Sequence, residues 1–294
     1  VVLGSGFMEQ RLRSMLLPGM RRLGLVPILR KLRAGFCSAL QSEALADGIA
    51  RDDQHRVSDY WGQQFHAMRV DNSYWLNNKV VEEATYRLMT DTPRHWLGWL
   101  LNDYFAERTF DRSLSVCCGD GAHEIQLYTS GKVRFVSGVD ISEGAIKQAA
   151  ARFAAAGAPP ERYRFEVRDV NALQLGETYD LIFSTGALHH ATNLEGLLAT
   201  MEQALAPNGY FVVVEFIGPN RFQWTDQQIE IANQVLSALD PAYLRDGRNT
   251  RFERPTIESM LACDPSEAVR SAEVYPLVKK YFDVRYERFY NGTL

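Results

Sequence analysis

Cysteine is scarce in this chain. Only Cys37, Cys117, Cys118 and Cys263 occur in 294 residues. They form no C-x-x-C pair and have no histidine at zinc-site spacing, and the adjacent Cys117 and Cys118 cannot easily bridge each other. Reduced thiols in a cytoplasmic setting are therefore expected, rather than a disulfide scaffold or a zinc site. Long apolar runs are also missing, since no stretch approaches the roughly 20 residues that span a bilayer. The formal net charge of −4 leaves no electrostatic footprint for nucleic acid, so no nucleic-acid partner is expected. A hydrophobic share of 46% supports a sizeable core, and the length suits one α/β enzyme core with extensions at both ends.

Residues 113–140, SLSVCCGDGAHEIQLYTSGKVRFVSGVD, carry the most information. Leu114 to Cys117 is a short β-prone run, and Gly119 with Gly121 lets the backbone turn sharply and approach a ligand. Val133, Phe135 and Val139 mark a second strand that ends on Asp140. Open α/β sheets bind ligands at that edge, and a carboxylate there can accept both hydrogen bonds of a ribose diol. A dinucleotide fingerprint needs a third glycine, but the pattern runs Gly119-Asp120-Gly121-Ala122-His123-Glu124. Asp120 and Glu124 also place negative charge where a pyrophosphate would lie. A cationic sulfonium with a zwitterionic tail fits better.

The ordered series VCCGDG, VDIS, RDV and YDLIFSTGALHH resembles the motifs of class I S-adenosylmethionine-dependent methyltransferases over residues 114–217, about a third of the chain. The resemblance implies a Rossmann-like three-layer α/β sandwich with a mostly parallel seven-stranded sheet. It also implies S-adenosylmethionine as cofactor, with S-adenosylhomocysteine as product. By the same resemblance Cys117, Cys118, Gly119, Asp120 and Gly121 form the cofactor loop, and Asp140 takes the ribose. Asp169 accepts from the adenine amino group, Ile141 and Val170 sandwich the ring, and Ser184 and Thr185 close the cofactor edge. The chain departs from the family loop at Ser115, usually acidic, and at Cys117, usually glycine. The acid missing at Ser115 helps hold the methionine end in relatives, so another polar group must take that load; Asp120 is a candidate.

Downstream, strands are expected at 163–167, 179–184 and 209–216, and helices at 142–155 and 194–205. This alternation brings His189, His190 and Glu215 to the ends of the fourth and fifth strands. Methyl transfer needs an acceptor held in line and a base for its proton, and a neutral imidazole suits that role. His189 is expected to be the base, oriented by Glu215 or His190. Without clustered carboxylates at the fourth strand end, no metal is expected. The similarity points to O-methylation of a small hydroxylated acceptor, a sugar, glycoside or secondary metabolite. Transfer to nitrogen or carbon, a nicotinamide-dependent oxidoreductase and a non-catalytic subunit of the same fold are the alternatives.

The flanks complete the plan. Residues 1–50 form a basic amphipathic extension, in which Leu25, Ile28, Leu29, Leu32 and Phe36 share a face away from Arg30, Lys31 and Arg33. Such a helix can touch anionic lipid peripherally, or pack on the core or on a second copy in a homodimer. Its Arg-rich makeup is also that of a transit peptide, though serines are few. VVLGSGF reads as a leader added ahead of Met8. Residues 51–112 read as a helical cap whose Tyr60, Trp61, Tyr74 and Trp75 could wall the reacting centre. Residues 113–294 hold the core, with a lid insertion at about 218–270 in which Arg221 could clamp an anion and Trp224 could stack on a ring. A capping box at Thr225 and Gln228 opens a helix expected to pack its apolar face on the core. Asp264, Pro265 and Glu267 read as cap, first-turn proline and capping-box acid of a further helix, and Arg270 as a minor substrate candidate. Residues 282–290 read as the sixth strand, and Gly292-Thr293-Leu294 as the start of a seventh that a longer protein would complete.

Overall fold

The computed structural model describes residues 2–4, 54, 56–62, 79–240 and 251–290. Of the basic extension only Val2–Gly4 are described, and Tyr74 and Trp75 lie outside the described residues. One seven-stranded sheet organises the chain, in the order β4-β3-β2-β5-β6-β1-β7. Its strands are β1 (Val2–Gly4), β2 (Phe110–Val116), β3 (Val133–Asp140), β4 (Tyr163–Val167), β5 (Tyr179–Thr185), β6 (Leu205–Val214) and β7 (Val284–Tyr286). Pairing is parallel from β4 through β6. β1 lies antiparallel between β6 and β7. The antiparallel place expected for residues 292–294 is thus filled by Val2–Gly4, the described part of VVLGSGF.

The described helices are α1 (Lys79–Thr90), α2 (Trp96–Trp99), α3 (Ala122–Thr129), α4 (Glu143–Ala155), α5 (Leu194–Ala204), α6 (Asp226–Ala238), α7 (Ile257–Cys263) and α8 (Ser271–Tyr281). Their starts follow side-chain chemistry. Ser142 accepts the Ala145 amide ahead of α4, Asn193 accepts that of Gly196 ahead of α5, and Thr225 and Gln228 complete the capping box of α6.

Alternation along the strands sends side chains into two apolar layers. Leu114, Ile182 and Phe211 pack with Leu194, Leu198 and Met201 of α5 and with Val274 and Val278 of α8. Leu181, Phe183 and Val212 pack with Tyr86, Trp96, Leu127 and Phe153 on the opposite face. Each fully buried Leu, Ile or Phe contributes about 1.5–3 kcal/mol relative to exposure, so these layers set the sheet's register. The cap aromatics Tyr86, Trp96 and Phe105 are therefore core residues. α6 differs from expectation: only Ala232 is buried, while Ile231 and Val235 are exposed.

Strand order reverses between β2 and β5. β3 and β4 build outward on one side of β2, and β5 and β6 on the other, which opens a crevice at the carboxyl ends of β2 and β5. The cofactor and catalytic candidates of the core lie at or just past the carboxyl ends of β2 to β6.

Candidate active site

The turn after β2 is held in left-handed backbone. Cys117, Gly119 and Gly121 have φ of 51°, 56° and 74°. A Cβ on Gly121 would lie 2.9 Å from Cβ of Ala149 in α4, so only glycine lets this turn sit against that helix. Asp140 ends β3 beneath the turn. Its Oδ2 accepts the Gly119 amide and its Oδ1 the Ser142 amide, each at 2.9 Å. Burial raises its pKa, against the pull of those amides and that of Ile141. With three amides donating, one carboxylate lone pair is left for a further donor.

Beside it, Asp169 lies two residues past β4 and caps the short turn Val170–Ala172. Its Oδ1 accepts the Asn171 backbone and side-chain amides at 2.9 and 3.0 Å. Gln54, which the sequence reading passed over, donates Nε2 to Oδ2 at 2.8 Å. Ile141 is half-buried and Val170 buried. An adenosine-bearing cofactor fits this edge: two acids, one at the end of β3 and one just past β4, lie beside a left-handed backbone turn. Burial pushes the Cys117 and Cys118 thiols well up, so both are neutral and contribute shape. Asp120 does not face this edge alone; its carboxylate pairs with Arg152 of α4 at 2.8 Å. Ser184 is buried with its Oγ unpartnered among the described residues, and Thr185 is half-buried.

Across the crevice, the short turn Leu188–His190 follows β5, and Glu215 follows β6 directly. Glu215 is saturated. Its Oε2 accepts the Ala187 and Leu188 amides at 2.8 and 2.6 Å, and its Oε1 meets the Phe216 amide and Nδ1 of His189. Nε2 of His189 lies 3.2 Å from Oε1 of Glu267. Burial draws the His189 imidazole down, but Glu215 and Glu267 outweigh it and push its pKa up to about 10. The neutral imidazole expected from sequence is therefore an imidazolium at rest, clamped between two carboxylates.

His190 is the neutral ring. Burial first, then the charge on His189, takes it down to about 4. Its Nδ1 lies 3.0 Å from Oγ of Ser266, which itself donates to Asp264 at 2.6 Å, so Nδ1 carries the proton. Glu215, not His190, orients His189; the two rings only pack, with centroids 4.1 Å apart.

Glu267 reaches the site although sequence reasoning explained it as a capping-box acid. Residues 264–270 form a turn, not a helix start, because Asp264 accepts the Ser266 amide at 2.8 Å and α8 opens only at Ser271. Val269 donates to the His189 carbonyl at 3.0 Å, which pins the turn over the histidine. Arg221 supports it, donating Nη1 to the Glu267 carbonyl at 3.0 Å, and is not a free clamp. Arg221, Phe222 and Ala268 hold φ of 53°, 50° and 50°, strained for non-glycine residues.

Trp61 does reach the site. It donates Nε1 to Asp264 at 3.0 Å and sets its ring edge-on to His190, and Tyr60 packs against it. Trp224 stacks on Phe222 and touches Phe216, so it meets His189 only through Phe216. Arg270 is spent on Glu195 and Glu273. Among the described residues, His189, His190 and Glu267 offer ligand atoms within 4.8 Å of one another, a cluster that could hold a metal ion where none was expected.

A family model described as a methyltransferase domain matches residues 111–257. Malonyl-[acyl-carrier protein] O-methyltransferase of Bacillus cereus is 26% identical over 148 residues, which is 50% of this chain and 53% of that protein. The match thus spans about half the length of the curated relative. Two solved structures are also similar. The N-methyltransferase NodS of Bradyrhizobium japonicum, in complex with S-adenosyl-l-homocysteine, is 21% identical over 40% of this chain and 59% of that one, with a TM-score of 0.35. An S-adenosylmethionine-dependent methyltransferase of Mesorhizobium loti is 28% identical over 41% and 55%, with a TM-score of 0.34. No described helix is long and apolar enough to cross a membrane.

Proposed function

From the footing that this chain belongs to the S-adenosylmethionine-dependent methyltransferase family, we propose that it methylates a hydroxyl of a small-molecule acceptor, with His189 as general base. The observation that carries this reading is the fixed His189–Glu215 pair at the crevice, with its other nitrogen aimed at Glu267. S-adenosylmethionine, when bound, supplies an electrophilic methyl group on its sulfonium. Asp140 and Asp169 would hold its nucleoside beside the Cys117–Gly121 turn.

The chain's part in the reaction is mainly positioning and one proton transfer. At rest Glu267, 3.2 Å away, holds the Nε2 proton of His189 in place. The competent form is the one in which His189 has given up that proton to solvent, leaving a neutral imidazole. That imidazole, still oriented by Glu215 at Nδ1, takes the hydroxyl proton as the oxygen attacks. The segment 218–270 acts as a lid that carries Glu267, and Trp61 walls the acceptor side beside His190. The relative's name, an O-methyltransferase, supports transfer to oxygen over nitrogen.

The test is an acceptor screen by mass spectrometry with S-adenosylmethionine as donor. A product carrying one added methyl on oxygen, lost in H189A, supports the reading. Turnover in H189A equal to the parent's, or methylation at nitrogen or carbon, removes it.

A further inference from the structure

Under the glycine turn lies a carboxylate that the steps above leave idle. Glu124, in the first turn of α3, is 3% exposed, and its Oε2 is buried without a hydrogen-bond partner among the described residues. The adjoining Ser115 of β2, the place where the sequence lacks an acid, is its polar neighbour: the hydroxyl draws the Glu124 pKa down, yet neither Ser115 Oγ nor Glu124 Oε2 meets full hydrogen-bond geometry. Burial pushes the Glu124 carboxyl up to about 7; Ser115 and its own amide draw it back, Asp140 raises it and Arg152 lowers it slightly. Arg152 is the nearby cation, but its Nη2 is committed to the Asp120 carboxylate at 2.8 Å and its Nε to the Asp120 carbonyl at 3.0 Å.

A carboxylate out of water and unmatched is unfavourable, so such a group either holds a proton or receives a cation. Glu124 stands in the first turn of α3, three residues after Gly121, and feels the charge of Asp140, which puts it at the cofactor edge rather than at the acceptor side. The cofactor brings two cations, a sulfonium and the ammonium of its amino-acid tail. The sulfonium must face the acceptor near His189; the tail is left for the turn. Asp120, the sequence's candidate for this load, is occupied by Arg152.

We propose that Glu124 holds the ammonium group of the cofactor's amino-acid tail, doing from the helix what Ser115 cannot do from the strand. The assignment rests on the S-adenosylmethionine reading and concerns affinity, not the proton transfer.

Calorimetry with two ligands tests it. S-adenosylhomocysteine carries the ammonium and no sulfonium, and 5′-methylthioadenosine carries neither. E124Q is expected to lower S-adenosylhomocysteine affinity at least tenfold and leave 5′-methylthioadenosine affinity unchanged. In the E124A background, S115D is expected to restore most of the loss, because it returns a carboxylate to the adjoining position. In the parent protein near pH 7, titrations in buffers of different ionisation enthalpy are expected to show more proton release with S-adenosylhomocysteine than with 5′-methylthioadenosine. That last measurement stands even if E124Q fails to fold. Undiminished S-adenosylhomocysteine affinity in E124Q, equal loss of both ligands, or equal proton release would overturn the assignment. A parent protein that binds neither ligand would instead remove the methyl-donor reading itself.

Discussion

Glu215 joins its carboxylate to His189 at one oxygen and to the amides of Ala187 and Leu188 at the other. One side chain thus shapes the turn that carries the histidine and fixes the ring within it. The two effects separate by variant. H189N should cut kcat/KM by about 10²–10⁴-fold, the usual worth of a positioned base, while S-adenosylhomocysteine affinity stays at the parent value. E215A should lose activity and also lower Tm, since four donors to a buried carboxylate lose their acceptor. Steady-state kinetics with calorimetry and thermal melts distinguish them; equal melts for both variants would show that Glu215 is not holding the turn.

The pH dependence follows from the charges on either side of the ring. His189 is raised from its ordinary 6.5 to about 10 because Glu215 and Glu267 outweigh its burial. A raised imidazole contributes stability that is fully present below about 6.5 and is lost as pH climbs through about 10. The base form is the unprotonated one, so kcat/KM should rise on the alkaline side. Removing one anion in E267Q should move that limb toward acid, by at least one pH unit, and flatten the loss of Tm between those pH values. A limb that stays in place would mean that Glu267 does not hold the His189 proton.

How far the sequence reached depends on whether the signal was local. Tyr163–Val167 and the Ser142 and Thr225 caps were legible because β-prone runs and capping side chains act within a few residues. The turn at Gly119 and Gly121 and the acid at Asp140 were legible for the same reason. Glu267 was not: Asp-Pro-Ser-Glu is a good helix opening by local rules, and its backbone is held open by contacts to His189 and Arg221, far away in the chain. The antiparallel strand was missed because Val2–Gly4 finds its partners in β6 and β7, at the other end of the sequence. The charge on His189 was misjudged because its second carboxylate belongs to that same distant turn.

The cofactor edge makes its own prediction. D140A should weaken S-adenosylhomocysteine at least tenfold, or about 1.4 kcal/mol, and should loosen the turn, because the Gly119 and Ser142 amides lose their acceptor. D140N keeps the size but turns an N–H group toward one of those amides, so it should do no better. Calorimetry of both variants decides the point; parent-like affinity in either would move the nucleoside elsewhere.

The glycine turn can be tested without any ligand. G121A places a methyl 2.9 Å from the Ala149 side chain and a non-glycine residue at φ 74°. Left-handed backbone costs about 1–2 kcal/mol for an ordinary residue, and the collision adds to it, so a clear fall in Tm is expected. In the double variant A149G with G121A the 2.9 Å contact is removed, while Cα of residue 149 stays at 3.1 Å and the backbone strain remains, so stability should return only in part once the cost of glycine inside α4 is allowed for. Full recovery would mean that packing alone, and not φ, selects glycine there.

The last prediction concerns the cluster of His189, His190 and Glu267. At rest the Nε2 of His189 serves Glu267, and the reaction as proposed needs that nitrogen for a proton. Chelation with EDTA should therefore leave turnover unchanged. Added zinc should do the opposite of helping: imidazole and carboxylate ligands suit it, Glu215 at Nδ1 would orient His189 as a ligand, and a bound ion would block the base. Inhibition should be reversed by EDTA and should be weaker in E267Q, which loses one ligand. Activity that falls on chelation and returns with a divalent cation would show that the ion, not the free imidazole, belongs in this position.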